Sequence, residues 1–102
     1  MSAALIWSPF ESEEDAAKAA SQLLDERLIA CANLFPGMRS LYRWRGERGE
    51  ARECGALFKT TEALLDKVVA RLAAIHPYET PAITGWLADA APVTLAWLGE
   101  LA

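Results

Sequence analysis

A chain of 102 residues is the size of one domain with one hydrophobic core. Hydrophobic residues make up 53% of it, four of its aromatics are Trp, and a domain this small hides only part of such a load, so an oligomer is expected. The formal net charge of −4 carries no basic footprint and argues against nucleic acid as the main partner.

Arg39, Arg43, Arg45, Arg48 and Arg52 do cluster, but Glu47, Glu50 and Glu53 are interleaved with them, as on a solvated hairpin. No apolar run approaches the roughly 20 residues of a membrane span. The segment Met-Ser-Ala-Ala-Leu-Ile-Trp lacks a basic leader and passes into an acidic stretch, unlike a signal peptide. Two Cys in such a chain read as reduced thiols, and a cytoplasmic location is expected.

In chain order, Ala3 to Trp7 reads as a short buried strand, stopped by Pro9. Ser12 then stands as an N-cap, with Asp15 three residues on, and acids fill the first turn of a helix running to about Arg27. Ala16, Ala20, Leu23 and Leu24 can line one face of it.

Leu28 to Trp44 reads as one long strand, oversized for such a domain. Pro36 cannot donate a ladder hydrogen bond and Gly37 tolerates positive φ, so this pair predicts a bulge or bend within the strand. Beyond it, Met38, Ser40, Tyr42 and Trp44 share one face, and Arg39, Leu41, Arg43 and Arg45 share the other. Gly46-Glu47-Arg48-Gly49 is read as the hairpin turn. A third strand follows from about Ala51 to Thr60, with Gly55 weakening its middle or marking a bulge.

Thr60 or Thr61 caps a second helix, in which Leu64, Leu65, Val68, Val69, Leu72 and Ile75 recur at helical spacing. Pro77 ends it. Ile83 to Leu87 reads as a fourth strand. Pro92 suits a first helical position, and Val93 to Leu101 reads as a closing helix. The order β-α-β-β-α-β plus a terminal helix predicts an α+β ferredoxin-like sandwich, helices on one face of an antiparallel sheet. The other face has no second helical layer to cover it.

With the turn so placed, Trp44 opposes Ala51 and Cys54 opposes Leu41. Cys31 then lies ten residues from Leu41, about 33 Å along a strand, far beyond the roughly 7 Å that a disulfide allows. Cys31, between two alanines, reads as a buried apolar thiol or a soft metal ligand.

The chain offers one His and no Gly-x-Ser-x-Gly, phosphate loop or closed metal-ligand spacing, so no enzyme is expected. The best site candidate is His76-Pro77-Tyr78-Glu79-Thr80-Pro81. Two prolines stiffen a loop that carries an imidazole, a phenol and a carboxylate, groups that could hold a cation or a small polar ligand. The alternative is a stiff connection in which a charged His76 caps the helix C-terminus. Lys59 could meet an anion or Glu79, or form a surface ion pair. Tyr42, Trp44, Trp86 and Trp97 read as core or interface anchors.

Ala30-Cys31-Ala32-Asn33, Pro36-Gly37, Ser40-Leu41-Tyr42-Arg43-Trp44-Arg45-Gly46, Lys59-Thr60-Thr61, His76-Pro77-Tyr78-Glu79-Thr80-Pro81 and Trp97-Leu98 resemble the CutA family, the divalent-cation tolerance proteins. The likeness spans nearly the whole chain. It implies a ferredoxin-like subunit in a homotrimer similar in architecture to PII signalling proteins, with sheets packed around a three-fold axis and long strands reaching neighbours. It also implies a link to copper, zinc or other divalent ions. The ligand site implied lies in clefts between subunits, with His76, Tyr78 and Glu79 joined by Lys59 and Trp44 of a neighbouring strand, and with His76 and Glu79 as the metal donors. Metal ligands proposed in some members are a Cys near the end of the first strand and paired His before Pro-Tyr; those positions hold Ser8, Ile75 and His76 here. Cys54-Gly55 and Thr94 also depart from the family pattern. A PII-like signalling or scaffold trimer, binding a metabolite or a protein, is the second expectation.

Overall fold

Residues 2–102 are described by the computed structural model. The chain runs β1 (Ala3–Phe10), α1 (Glu13–Asp25), β2 (Cys31–Trp44), β3 (Glu47–Thr61), α2 (Leu65–Ile75), β4 (Thr84–Ala88) and α3 (Pro92–Leu98), with single 3₁₀ turns before α2 and after α3. The four strands form one antiparallel sheet in the order β2-β3-β1-β4. This is the expected ferredoxin-like α+β sandwich.

The helix ends follow from local chemistry. The Ser12 hydroxyl accepts from the Asp15 N–H at 3.1 Å, and Glu13, Glu14 and Asp15 face the positive end of α1. At the other end Arg27 adopts φ 58°, and the N–H groups of Arg27 and Leu28 return to the carbonyls of Leu24 and Leu23, both at 3.0 Å. That is a Schellman stop with Arg in the left-handed position glycine usually takes. The stop turns Leu28–Ala30 into a connection, so β2 starts at Cys31 and not at Leu28.

Two further strand boundaries differ from expectation. β1 runs past Pro9 to Phe10 because β4 pairs with it only as far as Trp7, so the strand end has one open edge that needs no donor. The hairpin turn has two residues, Arg45 (φ 52°) and Gly46 (φ 81°), the paired left-handed conformation whose twist matches antiparallel strands. Trp44 therefore opposes Glu47 and not Ala51, whose partner is Ser40. The ladder shifts between Phe35 and Met38, so Pro36-Gly37 is the expected bulge, with Gly37 at φ 72°.

The cysteines stay apart in this register too. Cys31 pairs with Lys59, five residues along β3 from Cys54, a separation of about 17 Å. Both thiols are free; Cys54 is buried and Cys31 only half-buried.

Alternation along β1 and β3 turns Ala4, Ile6, Ser8 and Phe10 with Cys54, Ala56, Phe58 and Thr60 toward the helices, all of them buried. Ala16, Ala19, Ala20 and Leu23 of α1 and Val68 and Leu72 of α2 close over them. The alanines let α1 lie close to the sheet, and each large side chain buried there contributes roughly 1.5–3 kcal/mol. On the opposite face stand Leu5, Trp7, Phe35, Leu57 and Trp86. Trp7 lies over Gly55, where an added Cβ would strike its indole, and its ring centroid is 5.9 Å from that of Phe35. Gly55 thus makes room for an indole beside the β2 bulge, since its partner Phe35 is the last residue before the register shift. Phe35 and Trp86 remain 47% and 43% exposed, so this face is not covered by the chain itself.

Candidate functional site

β1 ends opposite Cys54, while the β2–β3 hairpin continues past it and stretches the molecule to 43 × 24 × 23 Å. The loop from α2 to β4 comes back beside the base of this projection. Between them opens a cleft of about 990 Å³, lined by Pro9 and Glu11, by Tyr42, Trp44 and Glu53 of the hairpin, and by Tyr78 to Ala82 of the loop.

His76 fixes the loop from behind. Its N–H closes α2 onto the Leu72 carbonyl at 2.9 Å, and its extended backbone (ψ 133°) is the conformation a following proline requires. The imidazole is 7% exposed and stacks on Phe10 with centroids 4.1 Å apart. Nε2 lies 3.1 Å from both the Ser8 hydroxyl and the Pro9 carbonyl, and Nδ1 lies 3.2 Å from the Tyr78 N–H. The Pro9 carbonyl can only accept and the Tyr78 N–H can only donate, so the proton sits on Nε2 and Nδ1 is the acceptor. The ring is neutral: burial pushes its pKa below the ordinary value, against smaller pulls from Pro9, Asp15 and Glu53.

Two sequence readings of His76 change accordingly. It is no charged helix cap. As a metal donor it has no free lone pair, since Nε2 carries the proton and Nδ1 is engaged. The Ser8–His76 pair is no nucleophilic dyad either. The Ser8 hydroxyl donates to the Ala82 carbonyl at 2.7 Å, accepts from the ring and is fully buried.

Tyr78 ties the loop to the hairpin. Its phenol donates to a Glu53 carboxylate oxygen at 2.6 Å. Burial, and then that hydrogen bond, push its pKa well above the ordinary tyrosine value, so it stays a donor at any physiological pH.

Of the residues predicted for the site, the structure brings Trp44, Tyr78 and Glu79 together on one cleft, within a single chain. His76 stands behind the wall. Lys59 lies elsewhere, near the end of β3, where it pairs with Leu5 on one side and Cys31 on the other. His76 and Glu79 form no donor set, and among the described residues no three His, Cys, Asp or Glu side chains converge as a metal site. Glu11, Glu53 and Tyr42 were missed as site residues. Glu53 had been grouped with the solvated charges of the hairpin, yet it faces the cleft because it pairs with Met38, on the face that also carries Tyr42 and Trp44.

Fold and cleft together define an α+β ferredoxin-like domain with an uncovered sheet face and a projecting aromatic hairpin. A family model described as CutA1 divalent ion tolerance protein matches residues 4–100, and the chain belongs to that family. It is 47% identical over 79 residues to the divalent-cation tolerance protein CutA of Thermotoga maritima, covering 78% of this chain and 77% of that one. The fold superposes on the crystal structure of the divalent ion tolerance protein CutA1 from Ehrlichia chaffeensis with TM-score 0.92 and 34% identity, over 98% of this chain and 94% of that one. It also matches a structure named as the periplasmic divalent cation tolerance protein CutA from Archaeoglobus fulgidus, with TM-score 0.89 and 30% identity over 97% of each chain.

Proposed function

We propose that the chain acts in divalent-cation tolerance as a homotrimer, with the cleft under the β2–β3 hairpin as its ligand site. The observation that carries this reading is the uncovered sheet face. Phe35 and Trp86 stand nearly half exposed there, and the hairpin beyond presents Tyr42 and Trp44 at 46% and 50% exposure. So much aromatic surface on one contiguous face marks an interaction surface. A second copy of the chain covers it, as the family's architecture implies. The two unbridged cysteines accord with a reducing, cytoplasmic compartment.

Copper or zinc fits the single chain poorly. A bound ion needs three or more donors converging at about 2.0–2.6 Å, and among the described residues none do. An ion held directly would take carboxylates such as Glu79 from more than one subunit. The alternative, a PII-like signalling trimer that binds a metabolite, is favoured by the same observation of dispersed carboxylates among aromatic walls. Calorimetric titration with copper and zinc separates the two. Saturable heat that disappears in Glu79→Gln supports a direct metal site. No heat with either ion refutes direct metal binding and leaves the metabolite reading.

A further inference from the structure

The β2–β3 hairpin divides at its bulge. On β2 the ladder shifts between Phe35 and Met38, where Pro36 donates no hydrogen bond and Gly37 sits at φ 72°. On β3 the matching point is Cys54, opposite which β1 ends. From Met38 to Glu53 the two strands therefore pair only with each other, in seven consecutive pairs without a shift. Within this ribbon Arg39 pairs with Glu50 at 2.8 Å, and the Tyr42 ring lies over Gly49, where an added Cβ would strike it. The ribbon holds together as one piece, but no third strand fixes its direction, and the interrupted ladder at its base is a hinge. Among the described residues, one side-chain hydrogen bond joins the ribbon to the fold outside the hairpin, from the Tyr78 phenol to Glu53 at 2.6 Å. Glu53 belongs to the first pair past the bulge, with Met38. Tyr78 is anchored in turn. Its N–H donates to His76 Nδ1 at 3.2 Å, the His76 ring stacks on Phe10, and Pro77 and Pro81 limit the freedom of the loop.

Resting on the homotrimer reading, we infer that Tyr78 is a positioning residue for assembly: its hydrogen bond to Glu53 braces the hairpin at the hinge and sets the direction in which Tyr42 and Trp44 meet a second copy of the chain. Leverage makes one bond matter. Trp44 lies six residues beyond Met38, about 20 Å along a strand, so a tilt of about 10° at the hinge moves it by about 3–4 Å. A gap of roughly 0.5–1 Å already forfeits a quarter to a half of a dispersion contact, so such a tilt undoes the docking of both rings. Tyr78 and Glu53 are half-buried, and a bond from a phenol to a carboxylate is of the stronger, charge-assisted kind. Its loss leaves the ribbon pairs and the helix-side core in place, so the change registers in assembly.

The test is subunit exchange. Unlabelled and isotope-labelled copies of the full chain are mixed, and mixed oligomers are followed by native mass spectrometry, with far-UV circular dichroism to verify that each variant is folded. Tyr78→Phe and Glu53→Ala each speed exchange about fivefold, as the loss of one hydrogen bond implies. The double variant is no faster than either alone, because both remove the same bond. Glu53→Gln keeps a carbonyl oxygen for the phenol and stays within about twofold of wild type. Ser12→Ala, which removes the cap of α1 at a comparable cost in stability, leaves exchange unchanged. Exchange at the wild-type rate in Tyr78→Phe and Glu53→Ala overturns the inference. Equal acceleration in Ser12→Ala does so too, since it would reflect lost stability alone. A wild type of single-chain mass, with no mixed species, overturns the trimer reading and the inference with it, an outcome distinct from equal exchange among true trimers.

Discussion

Replacing His76 by alanine tests the part of the account that departs furthest from the sequence reading. The ring is 7% exposed and stacked on Phe10, so its loss opens a cavity beside the core. It also strands the Pro9 carbonyl and the Tyr78 N–H, each now served by a ring nitrogen. Cavity and orphaned polar groups together cost about 3 kcal/mol. Urea denaturation at fixed protomer concentration measures this, since dissociation and unfolding are linked in an oligomer. A solvent-facing, ligand-ready imidazole would cost under about 1 kcal/mol on removal, and such a value would refute the buried-strut reading. The pH dependence supplies a second check. The folded pKa lies below the ordinary 6.5, so the unfolded chain binds more protons in between. His76's contribution is complete above about pH 6.5 and is lost as pH falls through that value toward the folded pKa. Wild type should lose stability as pH falls below about 6.5, ahead of the carboxylates, and His76→Gln should flatten that slope.

Gly55→Ala should destabilise by about 1–3 kcal/mol, because the new Cβ meets the Trp7 ring and lies 3.2 Å from the Met38 sulfur. In a double-mutant cycle with Trp7→Leu the two costs should not add; simple additivity would mean the indole is not what the glycine accommodates. Tyr78→Phe removes the 2.6 Å hydrogen bond to Glu53 and should cost about 1 kcal/mol in thermal or urea unfolding, with faster exchange of loop amides. No change in either would mean that this hydrogen bond does not tether the loop.

Much of the fold was legible because strong local signals agreed with it. Ser12 followed by acids gave the start of α1, the apolar spacing from Leu64 to Ile75 gave α2, and Pro36-Gly37 gave the bulge. The hairpin was misplaced because glycines at 46 and 49 outweighed Arg45, whose left-handed backbone has no marker in its side chain. The same blindness hid the Schellman stop at Arg27. The correct pairing could not follow until the turn was known, since every partner along β2 and β3 is set there. The candidate site was half legible. Trp44, Tyr78 and Glu79 share the cleft, but His76 looked like a ligand because a lone imidazole announces its chemistry and not its partners. Ser8, Pro9 and Phe10, which engage it, lie more than sixty residues away in sequence. Glu53 was hidden among the hairpin charges, and only the register shows it facing Tyr78.

The central claim is that the open sheet face and the aromatic hairpin are surfaces shared among copies of this chain. Light scattering coupled to size exclusion at micromolar protomer concentration tests it most directly. The account predicts a mass three times that of the 11.1 kDa chain. A mass of 11.1 kDa would contradict it and leave that surface without the partner assigned to it.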